Sequence, residues 1–162
     1  MFEINTVTHA DKASLYADLL SQAEHLLAGE PDRIANAANF SALLYHSLPD
    51  VNWLGFYFFD GRELVVGPFQ GKPACVRIAL ERGVCGAAAR TRTTMRVADV
   101  HEFPGHIACD SASRSELVVP LITRDGNLLG VLDIDSPLPG RFDEQDQLGV
   151  EKLAGVFLNA CS

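Results

Sequence analysis

The sequence has no excess of positive charge. Its 13 Lys and Arg stand against 21 Asp and Glu, a net charge of −8. A protein that grips a phosphate backbone needs clustered cations to displace counterions, and no basic stripe is present, which excludes nucleic acid as a partner. Long apolar runs are missing as well. The most apolar stretch, residues 53–59, is far too short to span a bilayer. The N-terminus, MFEINTVTHADK, carries acidic and polar residues where an export signal needs an apolar core. A cytoplasmic protein without a membrane partner is therefore expected, with its four cysteines in a reducing compartment. There is no internal repeat, low-complexity tract or linker, so residues 1–162 are expected to form a single domain. The close ligand pairs of a structural zinc site are absent, and so are the phosphate loop GxxxxGK[ST], the dinucleotide motif GxGxxG and the nucleophile elbow GxSxG. No metal and no cofactor are expected.

What is present alternates between helical and extended patterning. Leu15, Leu19, Ala23 and Leu26 recur at helical spacing within residues 11–28, and Gly29 with Pro31 stops the run. A second helix is expected from Asp32 as N-cap to about residue 46, with Ile34, Ala38, Ala42 and Tyr45 on its apolar side. Residues 53–59 and 63–66 flank Asp60-Gly61 as a hairpin. Residues 75–80 read as a strand, 83–90 as a short helix and 95–97 as a strand. Residues 99–113 form a long connection rich in His, Cys and Asp, of the kind that usually carries function. Residues 117–122 and 128–135 make a second hairpin, and Asp143 caps a final helix with Val150, Leu153, Ala154, Phe157 and Leu158 on one face. Strands joined by hairpins argue for an antiparallel sheet. The fold class is α+β, about six strands with helices packed on one face.

Cysteine chemistry is the reactive option that remains. A cysteine in an apolar stretch is usually a small hydrophobe, and Cys85 and Cys161 have that setting. Cys109 lies in a polar loop between His106 and Asp110, and Cys75 lies where the polar GPFQGKPA segment meets a strand. Two such thiols could form a reversible disulfide or simply fill space. Asp133 and Asp135 sit two apart at the end of an apolar strand, so their side chains share a face, as do Trp53 and Tyr57 on the first strand. Glu116 precedes the strand VVPLI, after another loop. Aromatic surface, carboxylates and a thiol together suit a small cationic ligand with an apolar tail.

The segments WLGFY at 53–57, GPFQGKPACVRI at 67–78, GVCGAA at 83–88, VADVHEFPGHIACDSASRSELVVP at 97–120 and GVLDIDS at 130–136 resemble free methionine-(R)-sulfoxide reductases, enzymes built on a GAF domain. The resemblance covers roughly residues 12–158. It implies a GAF fold, a central antiparallel sheet with helices against it, and a pocket walled by the 99–113 loop. It implies that Cys109 is the catalytic cysteine, Cys75 the resolving cysteine and Cys85 a third cysteine of secondary role. It implies that Trp53 and Tyr57 face the methyl and thioether end of the substrate, and that Glu116, Asp133 and Asp135 are the pocket carboxylates. The implied reaction is reduction of free L-methionine (R)-sulfoxide through a sulfenic acid on Cys109 and a Cys75–Cys109 disulfide, recycled by thioredoxin. A homodimer is expected, because GAF domains of this kind often pair and the first and last helices carry apolar stripes. The alternative is a non-catalytic GAF sensor of a small molecule or of redox state. Such sensors usually sit beside output domains, and an anionic pocket suits a phosphate poorly.

Overall fold

In a computed structural model, the structure describes residues 1–4, 11–106 and 112–162. Two helices come first, α1 (Lys12–Leu27) and α2 (Arg33–Ser47). Each starts where an aspartate caps free backbone N–H groups: Asp11 accepts from Ser14 N and Asp32 from Ala35 N. Then come β1 (Trp53–Phe59), β2 (Leu64–Gly71), β3 (Arg77–Ile78), α3 (Gly83–Thr91) and β4 (Met95–Val97). A single 3₁₀ turn (Val100–Glu102) precedes β5 (Ser115–Ile122), β6 (Leu128–Ser136) and α4 (Glu144–Ala160). The six strands form one antiparallel sheet in the order β3-β2-β1-β6-β5-β4.

Alternation along the three central strands divides the molecule. Leu54 and Phe56 of β1, Leu117, Val119 and Leu121 of β5, and Leu132 and Ile134 of β6 face α1, α2 and α4 in the main core. Trp53 and Tyr57, Val118 and Val131 point to the other side, where they meet Val84, Cys85, Ala88 and Ala89 of α3. The helices therefore lie on both faces, not on one as the patterning suggested. Glycine explains the position of α3: a Cβ at Gly86 would come within 2.7 Å of the Ala79 carbonyl oxygen, so only glycine lets the helix approach so closely.

One helix face and two strand boundaries also differ from expectation. The buried face of α2 carries Asn36, Ala37, Phe40, Ser41, Leu43 and Leu44, while Ile34 is 54% exposed. The helix is rich in alanine on every side, and the bulk of Phe40, Leu43 and Leu44 decides which stripe turns inward. Strand β2 runs on through Gly67 and Pro68 to Gly71. Hydrogen bonding toward β3 ends with Val66 N–H donating to the Val76 carbonyl, and the pairing with β1 shifts register between Gly55 and Tyr57, so Pro68 sits where a missing N–H is tolerated. The strand expected at 75–80 contracts to Arg77–Ile78.

Candidate functional site

The sheet face opposite the three long helices gathers the site. β1 pairs with β6 so that Trp53 lies opposite Asp135 and Gly55 opposite Asp133, and β6 pairs with β5 so that Asp135 lies opposite Glu116. Three strands thus bring Trp53, Tyr57, Glu116, Asp133 and Asp135 to one small cavity of about 40 Å³, with Cys85 supplied by α3. The period-two reading of the sequence holds for Trp53 with Tyr57 and for Asp133 with Asp135, while Glu116 lies inside β5 and not before it.

The aromatic wall is layered. Trp53 stacks on Tyr57 at 5.7 Å between ring centroids and on Phe69 at 5.1 Å. Room for Phe69 comes from Gly55, where a Cβ would lie 2.2 Å from the Phe69 Cβ. Both polar tips of the wall hold the segment that carries Cys75. Trp53 Nε1 donates to the Lys72 carbonyl at 3.1 Å, and Tyr57 Oη donates to the Cys75 carbonyl at 3.2 Å. Cys75 is disulfide-bonded, whereas Cys85 and Cys161 are free thiols. Cys109 lies outside the described residues.

Two of the three carboxyls are deeply buried. Glu116 and Asp133 are 7% and 5% exposed. Burial first, then the neighbouring Asp133 and Asp135, pushes the Glu116 carboxyl well above its ordinary range. Burial likewise raises Asp133, although hydrogen bonds from Glu116 and Cys85 oppose the shift. These coupled groups share protons, so Glu116 is the one we regard as the principal holder. The Cys85 thiol donates to Glu116 Oε2 at 3.9 Å and is itself pushed well up, by burial and then by Asp133, Glu116 and Asp135. A thiol in that setting stays protonated and is a weak nucleophile. Tyr57 is raised by burial and by the same acidic neighbours.

Two further side chains line the cavity without having been singled out for it. Ser113 accepts from Asn52 Nδ2 at 3.2 Å, and His106 is shifted down by burial and by His101. Phe69 also went unread, because the polar GPFQG segment hides a strand. A glycine inside the aromatic run 53–59 was the available signal for a close neighbour.

The GAF domain family matches residues 1–160. A free methionine-R-sulfoxide reductase of Escherichia coli is 52% identical over 143 residues, covering 88% of this chain and 86% of that protein. The chain belongs to the free methionine-(R)-sulfoxide reductase family. Another member, from Saccharomyces cerevisiae, is 42% identical and covers 98% of this chain and 92% of its own length. The solved structure of the reductase from Neisseria meningitidis, in complex with its substrate, superposes with a TM-score of 0.93 at 44% identity, covering 99% of this chain and 96% of that one. As a member of that reductase family the chain is an oxidoreductase on a GAF fold. Among its described residues no helix is long and apolar enough to cross a membrane.

Proposed function

We propose that this protein reduces free L-methionine (R)-sulfoxide to L-methionine. The observation that carries the reading is the buried pair Glu116 and Asp133, both pushed above the ordinary carboxyl range, set with Asp135 against the Trp53–Tyr57 wall. An apolar methyl thioether end fits the aromatic wall, and a carboxyl that keeps its proton near neutrality can protonate a departing sulfoxide oxygen. The α-ammonium of a free amino acid supplies a charge that complements the carboxylates.

In the proposed sequence, the Cys109 sulfur attacks the sulfoxide sulfur as Glu116 protonates its oxygen. Methionine leaves and the oxygen remains on Cys109 as a sulfenic acid. Cys75 then attacks that sulfenic acid, releasing water and forming a Cys75–Cys109 disulfide. A dithiol such as thioredoxin reduces the disulfide and restores both thiols. The disulfide state of Cys75 and its attachment to Tyr57 beside the cavity support a resolving role. Cys85 keeps a secondary part, as a neutral thiol against Glu116. The protein acts as a single GAF domain spanning 1–162, in the cytoplasm and as a homodimer.

The test supplies dithiothreitol and each free methionine sulfoxide epimer. Methionine should form from the (R) epimer alone, and Cys109→Ser should abolish even the first turnover. Cys75→Ser should release about one methionine per chain and then stall with thioredoxin. Full activity in Cys109→Ser, or no consumption of either epimer by the wild type, would overturn the proposal.

A further inference from the structure

The Sγ of Cys85 and a carboxylate oxygen each of Glu116 and Asp133 lie within 4.8 Å of one another, all three residues buried. One thiol and two carboxylates are an accepted ligand set for a borderline-soft divalent cation, whose ligand atoms stand about 3.3–3.7 Å apart in tetrahedral geometry. Closing the cluster by about one ångström would meet that spacing. A second observation points the same way. Asp133 Oδ1 is buried and has no hydrogen-bond partner among the described residues, an acceptor that they leave to be satisfied by something else.

We propose that Cys85, Glu116 and Asp133 form a binding site for a divalent transition-metal ion of the zinc type, placed in the floor of the cavity that Trp53 and Tyr57 wall. Three protein ligands leave the fourth position of a tetrahedral ion facing the cavity, where water or a ligand atom completes it. The ion takes the place of the protons that the thiol and the carboxyl pair hold, so binding releases protons. It occupies the space in which a sulfoxide would be protonated, and the two exclude each other. The sequence concealed the site because its ligands come from α3, β5 and β6 and meet only across the folded sheet.

The probe is Co²⁺, whose thiolate complexes absorb in the near ultraviolet. The protein is used with Cys75 in its disulfide, which removes that sulfur as a competing ligand. A charge-transfer band should grow to saturation at one equivalent per chain, vanish on addition of Zn²⁺, and be lost in Cys85→Ser. Asp133→Asn should weaken Co²⁺ binding at least tenfold, and Cys161→Ser should leave the titration unchanged. Absence of any band, a band retained in Cys85→Ser, or one lost in Cys161→Ser would overturn the assignment. The readout is metal absorbance, so it stands or falls separately from the reductase reading.

Discussion

A carboxyl at position 116 loses water when β5 and α3 close around it, and it meets Asp133 and Asp135 where a cation would relieve it. Its pKa in the folded state therefore lies above its unfolded value of about 4.3. The folded protein then binds more protons than the unfolded chain between the two values. Stability contributed by the protonated group is complete below about pH 4.3 and is lost as pH rises toward the folded pKa. Replacing Glu116 with Gln removes the titration. Glu116→Gln should be more stable than wild type near pH 8, and the difference should grow on going from pH 5 to pH 8 by at most about 1.4 kcal/mol per pH unit. Urea melts of both proteins across that range check it, and parallel pH curves would contradict it. The same substitution should lower kcat about 10²–10⁴-fold, because the proposed proton donor is gone. On the proposed mechanism it should also remove an alkaline decline of activity through deprotonation of Glu116 in the wild type.

At the scale of elements, α4 is tied to the rest of the fold by one buried carboxylate. Asp146 is fully buried, shares a capping box with Asp143, accepts from Tyr16 Oη at 2.7 Å and from Lys12 Nζ at 2.6 Å, and pairs with Arg141 at 3.3 Å. Arg141 in turn donates from Nε to the Pro49 carbonyl and, through its backbone N–H, to Ser115 Oγ beside Glu116. Asp146→Ala strands a buried guanidinium and opens the cap, and should destabilise the protein by about 3–5 kcal/mol in urea unfolding. A loss below about 1 kcal/mol would show that the cluster is not a fastening. Gly55→Ala drives a methyl into Phe69 and should cost about 1–3 kcal/mol while raising KM through the displaced aromatic wall. The strands of the site were legible from sequence because a period of two leaves little choice: Trp53 with Tyr57, and Asp133 with Asp135, must share a face. The inward face of α2 was not legible, since alanine at many positions makes neighbouring stripes nearly equal and only the sheet beneath chooses Phe40 and Leu44. The course of β2 through Gly67 and Pro68 was hidden for a different reason. Hydrogen bonding toward β3 that ends at Val66 and a register shift remove the penalties that normally bar such residues from a strand.

At the scale of the whole molecule, one sheet separates a large apolar core from a small acidic cavity. In the apolar stripes of α1 and α4, Leu19, Ala23, Val150 and Phe157 are buried in that core, while Leu15, Leu26 and Leu158 are only partly buried. The proposed homodimer has these and Leu148, which is 51% exposed, as apolar contact surface. Light scattering should give twice 17.6 kDa at micromolar concentrations, and a value of 17.6 kDa throughout would refute pairing. In the proposed enzyme Glu116, Asp133 and Asp135 recognise the ammonium of a free amino acid. Loss of a charge-assisted contact inside a closed pocket costs about 2–5 kcal/mol, at least about 30-fold in kcat/KM. The most direct measurement is kcat/KM for N-acetyl-methionine (R)-sulfoxide beside that for free L-methionine (R)-sulfoxide, both with dithiothreitol. The acetylated compound keeps the sulfoxide and the thioether and lacks only the ammonium charge at the other end. It should be reduced at least about 30-fold less efficiently than the free amino acid; equal efficiency would mean that the carboxylates do not recognise the amino group.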